Sequence, residues 1–356
     1  MEPATGRDAG LRELATAAAA HLRDGAWNDA EQLYEMLFQR AVAAGELRTA
    51  TEALRNLTTQ RGQTGRYDEA DELAELSLEI AERAELTRAT AWAFNLLAVS
   101  RYRRNDWEGA QRMCARALRR ANDLGDDELI ASVCTNLCVL ASMQGDFREA
   151  RLIALESIAA SVRSGDTLRA IGAYNNLGII CTDLEELLEA ELYFDRGIEI
   201  AKQLSDAPML GMLYTNRAKP LIHVGDFGRA TDSLVAAERY ATQTRDAGTL
   251  SEVELHRATI ARLGGDYSAA ATHLDRALAH ADTPQLQRER ALALEEMALL
   301  RDSEGRSDEA QTLLQQVIKN FRELGAERDA TRAEALLSTW NSTDDEDAGL
   351  EAPQDQ

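Results

Sequence analysis

Asn56, Asn136, Asn176 and Asn216 stand at intervals of 40 or 80 residues, and Asn95 and Asn175 lie one place out of the same line. A primary amide offers one acceptor oxygen and two donor hydrogens, which matches the backbone of an extended peptide. Asn is a poor helix former, so four in register in a helical chain need a reason. Two reasons fit and do not exclude each other: the amides bond to neighbouring helices and fix their stacking, or they bond to a ligand. The residue types of acid–base and covalent chemistry are present without the spacing those chemistries need. His21, His223, His256, His273 and His280 are scattered, and no Cys or paired acid forms a metal-ligand spacing with them. There is no GxSxG, no HExxH and no phosphate-binding glycine loop. Cys134 and Cys138 are one helical turn apart, which could suit a metal. With no His near them in sequence, they are expected, like Cys114 and Cys181, to be small buried thiols. The expectation is a protein that is not an enzyme and holds no metal or cofactor.

The elements that position these side chains are helices. Apolar residues make up 45% of the 356 residues, which rules out a disordered polymer, while aromatics are only 5% and Pro occurs five times. Low Pro with abundant Ala, Leu, Glu and Arg favours an all-α chain, because these side chains lose little rotamer freedom in a helix. No stretch is long and apolar enough to cross a membrane, and Glu2, Arg7, Asp8, Arg12 and Glu13 interrupt any signal-peptide core. A soluble cytoplasmic protein is expected. The formal net charge of −22 argues against nucleic acid and anionic membrane as partners, since both are polyanions. Lys occurs only at Lys202, Lys219 and Lys319, so nearly all the positive charge is Arg.

One short pattern recurs: a turn residue, a spacer, a large apolar residue, two polar or small residues, then Ala. It reads Gly25-Ala26-Trp27-Asn28-Asp29-Ala30, Gly65-Arg66-Tyr67-Asp68-Glu69-Ala70 and Gly145-Asp146-Phe147-Arg148-Glu149-Ala150, with Glu185-Glu186-Leu187-Leu188-Glu189-Ala190 as a deviant. The final Ala falls at 30, 70, 110, 150, 190, 230, 270 and 310, an unbroken period of 40. Gly45, Gly125, Gly165 and Gly325 follow helical stretches and precede acidic residues, which suits the end of one helix and the start of the next. Each unit therefore holds two helices. Twelve residues before each repeat Ala stands a small residue: Ala18, Thr58, Ala98, Cys138, Gly178, Ala218, Ala258 and Ala298. A small residue there lets a neighbouring helix approach closely.

With Ala190-Phe194-Gly197, Ala230-Leu234-Ala237 and Ala270-Leu274-Ala277 in the second helix, this pattern resembles the tetratricopeptide repeat family, in the longer-repeat variety of kinesin light chains and many bacterial regulators. Repeats 2 to 4 depart from it, with Ala74, Cys114 and Ala154 at the large position. The resemblance implies a right-handed α-solenoid of eight helix-turn-helix repeats over residues 8–325. Residues 326–340 carry an apolar face of Ala333, Leu336, Leu337 and Trp340 and read as a capping helix. Residues 1–7 and the acidic stretch 341–356 are expected to lack ordered structure.

The resemblance also implies that the first helices of the repeats line a concave groove, and which of their positions face it. Those positions hold Asn56, Asn136, Asn176 and Asn216, flanked by Asn95 and Asn175. They also hold Arg12, Arg23, Arg55, Arg103, Lys219 and Arg262 against Glu52, Asp183, Glu252, Glu295, Glu296 and Asp302, with Trp92, Val99, Tyr102, Val139, Met143, Ile179 and Met212 as apolar lining. Bases prevail in the first three repeats and acids in the last two, so a ligand's acidic end is expected toward repeats 1 to 3. Pro220 interrupts a first helix one turn after Asn216, where a kink or an early helix end is expected.

Three functions fit. The leading one is a monomeric adaptor that binds a protein or an extended peptide in the groove. A signalling-peptide sensor is the second, weakened by the lack of room for an effector module before residue 8. A self-assembling structural solenoid is the third, and the capping helix argues against it.

Overall fold

A computed structural model describes residues 5–23, 25–104 and 106–350. Among them there is no strand, and the chain is an all-α repeat solenoid. Its first helices are α1 (Thr5–Arg23), α2 (Trp27–Ala44), α3 (Leu47–Gln63), α4 (Tyr67–Arg83), α5 (Thr87–Arg103), α6 (Trp107–Leu124), α7 (Asp127–Met143) and α8 (Phe147–Ser164). They continue as α9 (Thr167–Asp183), α10 (Leu187–Leu204), α11 (Ala207–His223), α12 (Phe227–Thr244), α13 (Ala247–Leu263) and α14 (Tyr267–His280). A 3-10 turn at Pro284–Leu286 precedes α15 (Gln287–Ser303), followed by α16 (Ser307–Glu323) and α17 (Glu327–Leu350). Of the segments expected to lack structure, residues 1–4 and 351–356 lie outside the described residues. The closing helix α17 continues past Trp340, and no Gly or Pro intervenes before Gly349.

Helix boundaries recur about every 20 residues, and a left-handed residue stands at most of the described turns, the α14–α15 connection with its 3-10 turn being an exception. At Gly45 (φ 75°) the Gly45 and Glu46 amides donate to the Val42 and Ala41 carbonyls at 3.0 and 2.8 Å, closing α2. The acids that follow such turns start the next helix. Asp106, Asp206, Asp226, Asp246 and Asp266 each accept from the amide three residues on, at 2.8–3.1 Å. Each such cap is worth about 1 kcal/mol. Pro220 does not end α11, which runs on to His223, so the early helix end is not observed. Proline has no amide hydrogen, and the Asn216 carbonyl loses its usual helical partner there.

The repeat Ala residues are all buried, and so are the small residues of the first helices. Gly178 shows why that position is small: a Cβ there would lie 2.5 Å from the ring of the fully buried Phe194. Where the large residue is replaced, Ala74, Cys114 and Ala154 are buried in its place. All four cysteines are buried thiols, and burial pushes Cys114 up to about 12.

The chain forms two compact units. Unit 1 runs to Ala141 and includes Leu152–Arg169, while unit 2 comprises Ser142–Arg151 and the chain from Ala170. In unit 1, α1 to α6 pack in chain order and α3 also touches α5. In unit 2, α10 to α17 pack in order, α11 touches α13, and α13 touches α15. The odd-numbered helices thus share a face in each unit. The end of unit 2 is covered by α17, whose Leu336, Leu337 and Trp340 pack with Ala298, Leu314 and Ile318.

Candidate functional site

Each unit has a cavity on the face of its odd-numbered helices. The cavity in unit 1 holds about 370 Å³, and Arg55 and Asn56 of α3, Trp92, Asn95 and Arg103 of α5, and Asn136 of α7 line it. These are six of the residues expected in the groove. An adjoining hollow of about 430 Å³ shares Arg55 and Trp92 and adds Arg48, Thr51 and Arg88. The Arg55 guanidinium lies 4.5 Å from the centroid of the Trp92 ring and donates to Glu128 at 3.3 Å. Arg103 lies over Tyr67 and donates to the Gly62 carbonyl at 3.4 Å. Tyr102, also expected in the groove, packs edge-on against Trp107 at 5.3 Å.

The amides divide into two kinds. Asn95 is buried, donates to Ser132 at 3.0 Å and accepts from Asn136 at 2.9 Å. In unit 2 the same bond recurs: Asn216 donates to Asn175 at 2.9 Å, and both are buried. In each pair the residues are 41 apart, so one first helix is pinned to the next with an offset of one residue. These four side chains do the structural work that the sequence left open. Asn56 and Asn176 are different. The Asn56 amide donates only to the Glu52 carbonyl of its own helix, at 2.9 Å, and Asn176 has no hydrogen-bond partner among the described residues. Both are half-buried.

The cavity of unit 2 holds about 310 Å³ and is lined by residues of α9, α11, α13, α15 and α17, among them Asp183, Lys219, Glu252, His256, Arg328 and Arg332. Of the expected groove residues, Lys219, Asp183, Glu252 and Ile179 line it, and Asn175, Asn176 and Asn216 do not. The expected excess of acid there is cancelled. Glu296 receives Arg262 at 2.7 Å and Glu295 receives Arg332 at 2.6 Å, with both carboxylates buried. Asp329 is held by Arg288 at 2.9 Å, and Asp183 pairs with Arg328 at 3.0 Å. These neutralising bases include residues of α15 and α17 that the repeat register did not bring to the groove. The reason to place a ligand's acidic end toward repeats 1 to 3 goes with the gradient. Arg23 lies outside the residues whose side chains are described.

Burial raises the Glu296 carboxyl above the usual carboxylate range, against the pull of Arg262. Burial, aided by the charge of Lys219, lowers His256 to about 3, and its Nε2 has no hydrogen-bond partner. In unit 1 three buried side chains have atoms likewise unbonded among the described residues: the Trp92 Nε1, both amide atoms of Gln60 and the Ser161 Oγ. Gln60 carries no signal in the period that marks it out, because it does not repeat, whereas His256 falls at a position that the family resemblance assigns to the groove.

Residues 171–204, which hold most of α9 and all of α10, match the tetratricopeptide repeat family. No curated protein sequence matches the chain. Among solved structures, the Rap protein complexed with Competence and Sporulation Factor is 15% identical, over 96% of this chain and 99% of that one, with a TM-score of 0.61. The apo quorum sensor NprR from B. thuringiensis is 12% identical over 94% of this chain and 98% of that one, with a TM-score of 0.56. BtubC (BKLC) from P. vanneervenii is 21% identical over 60% of this chain and 90% of that one, with a TM-score of 0.53. These likenesses concern the fold.

Proposed function

Because the chain is a tetratricopeptide-repeat protein, we propose that it is a non-catalytic cytoplasmic scaffold that binds an extended peptide or protein segment along the odd-numbered helices. The observation that carries this reading is the cavity in unit 1. It gathers half-buried amides whose oxygens accept no hydrogen bond among the described residues, Asn56 and Asn136, beside the Arg55–Trp92 stack. Amides bond a peptide backbone in either direction, and an aromatic–Arg stack supplies a rigid contact.

A random dodecapeptide pool passed over the immobilised full chain tests this. The wild type retains a subset of peptides. Asn56→Ala combined with Arg55→Met lowers retention at least tenfold while far-UV helicity stays, since neither side chain holds two helices together through a buried bond. Unchanged retention in that variant sinks the reading. A signalling-peptide sensor acting on a partner is the second reading. It is favoured by the end-to-end match in fold to NprR and to a Rap protein crystallised with a bound factor. It predicts that retained peptides are of one short sequence rather than a family of segments.

A further inference from the structure

Most charged groups around the cavity of unit 2 are committed to each other: Arg328 to Asp183, Arg288 to Asp329 and Arg332 to Glu295. Two are not. Lys219 on α11 and Glu252 on α13 both line the cavity, and neither has an ion pair among the described residues, with each other or with any other group. His256 stands one helical turn after Glu252 on the same face of α13, and its Nε2 is buried without a partner. Leu255, Leu292 and Ile179 supply apolar wall around them. A half-buried cation, a half-buried anion and a buried imidazole nitrogen line one cavity, and each has bonding capacity left for a ligand to complete. The volume, about 310 Å³, suits a small ligand or a few residues of a larger one.

We propose that the cavity of unit 2 is a site for a zwitterionic ligand, whose carboxylate pairs with Lys219 and whose amine pairs with Glu252. The inference rests on the peptide-binding reading and adds a second site with its own chemistry. His256 stays neutral beside Lys219, so it completes the lining without adding a charge that would repel the amine. The two ligand charges come either from the free ends of a short peptide or from a basic and an acidic side chain in a longer segment.

The three lysines of the chain make the test direct. Reductive methylation with a carbon-13 label keeps their charge and gives one NMR signal set per lysine, with that of Lys219 assigned by its loss in Lys219→Arg. The probes are two random tripeptide pools, one with free ends and one acetylated and amidated. The free-ended pool is expected to shift the Lys219 signal and leave Lys202 and Lys319 in place. Lys219→Met and Glu252→Gln each weaken binding of that pool at least tenfold, with helicity unchanged. A shift that survives blocking of the ends assigns the charges to side chains, and one that vanishes assigns them to the termini. A Lys219 signal that neither pool moves overturns the proposal, as does binding indifferent to Glu252→Gln. If dodecapeptide retention is intact in that case, only this site fails and the peptide-binding reading stands.

Discussion

The two units use the same helix pair to make opposite faces. In unit 1 the cavity is edged by Arg55, Arg103 and half-buried amides, and the ion pair that reaches it, Arg55 with Glu128, is partly open to solvent. In unit 2 the corresponding face is edged by ion pairs, several with buried carboxylates, and α17 supplies two of the bases, Arg328 and Arg332. One face is therefore held by packing and keeps its polar groups available. The other is held by charge, and most of its polar groups are already spent on the fold. What a repeat face can bind depends on which of its groups the stack has left over.

The largest expected difference between the faces is in stability. Arg262→Met leaves Glu296 buried beside an apolar side chain and is expected to cost about 3 kcal/mol. Arg55→Met leaves Glu128 40% exposed and still paired with Arg88 at 2.7 Å. It is expected to cost less than about 1 kcal/mol. Urea unfolding of both variants checks this, and equal losses would remove the distinction between a packed face and a charged one. A smaller difference separates the two kinds of Asn. Asn216→Ala strands the buried Asn175 oxygen and is expected to cost about 1–3 kcal/mol. Asn56→Ala breaks only a bond within its own helix, and the better helix propensity of Ala offsets that loss to within about 0.5 kcal/mol. Hydrogen exchange at α9 and α11 would rise in the first variant alone.

How much of this was legible in the sequence follows from what repeats. The buried Ala series and the small residues facing Phe194 and its counterparts recur every 40 residues, and the turn glycines recur in most repeats, so each occurrence supports the others. The six asparagines were legible as a line, but their division was not. Asn95 bonds Asn136 and Asn175 bonds Asn216 because adjacent first helices are offset by one residue, which a one-dimensional register does not contain. Arg328 and Arg332 were illegible for another reason: groove positions counted over eight repeats stop before α17, although α17 starts 40 residues after α15. Lys219 and Glu252 were both placed in the groove from the sequence. Their being unpaired is known only once every neighbouring acid and base has found its partner.

Acid should act on unit 2 through His256. The unfolded imidazole titrates near 6.5 and the folded one near 3, so between those values the unfolded state binds the extra proton. The stabilising contribution is complete above pH 6.5 and is lost as pH falls, by about 1.4 kcal/mol per unit. At pH 5.5 the wild type should lose roughly that much relative to pH 7.5 at this position, and His256→Asn should not. Comparison of the two unfolding curves at both pH values isolates the effect from the other titrating groups. A variant with the same acid loss as the wild type would mean that the imidazole is solvated rather than sealed.

The smallest effect lies in the turns, and it too differs between the units. Among the described residues, four that are not glycine have positive φ: Glu85 in unit 1, and Glu185, Ser205 and Arg245 in unit 2. A side chain in that conformation costs about 1–2 kcal/mol, because Cβ crowds the following carbonyl. Replacement by Gly removes the crowding but adds freedom to the unfolded chain, so the net gain per site is about 0.5 kcal/mol. All four residues are exposed, and the three in unit 2 stand at least 20 residues apart, so their gains should add. The triple variant Glu185→Gly, Ser205→Gly, Arg245→Gly is expected to stabilise unit 2 by roughly 1.5 kcal/mol, against about 0.5 kcal/mol in unit 1 for Glu85→Gly. Thermal unfolding followed by hydrogen exchange resolves the units separately. A gain in unit 2 no greater than that in unit 1 would show that the surrounding helices, rather than the turns, set the backbone strain at these positions.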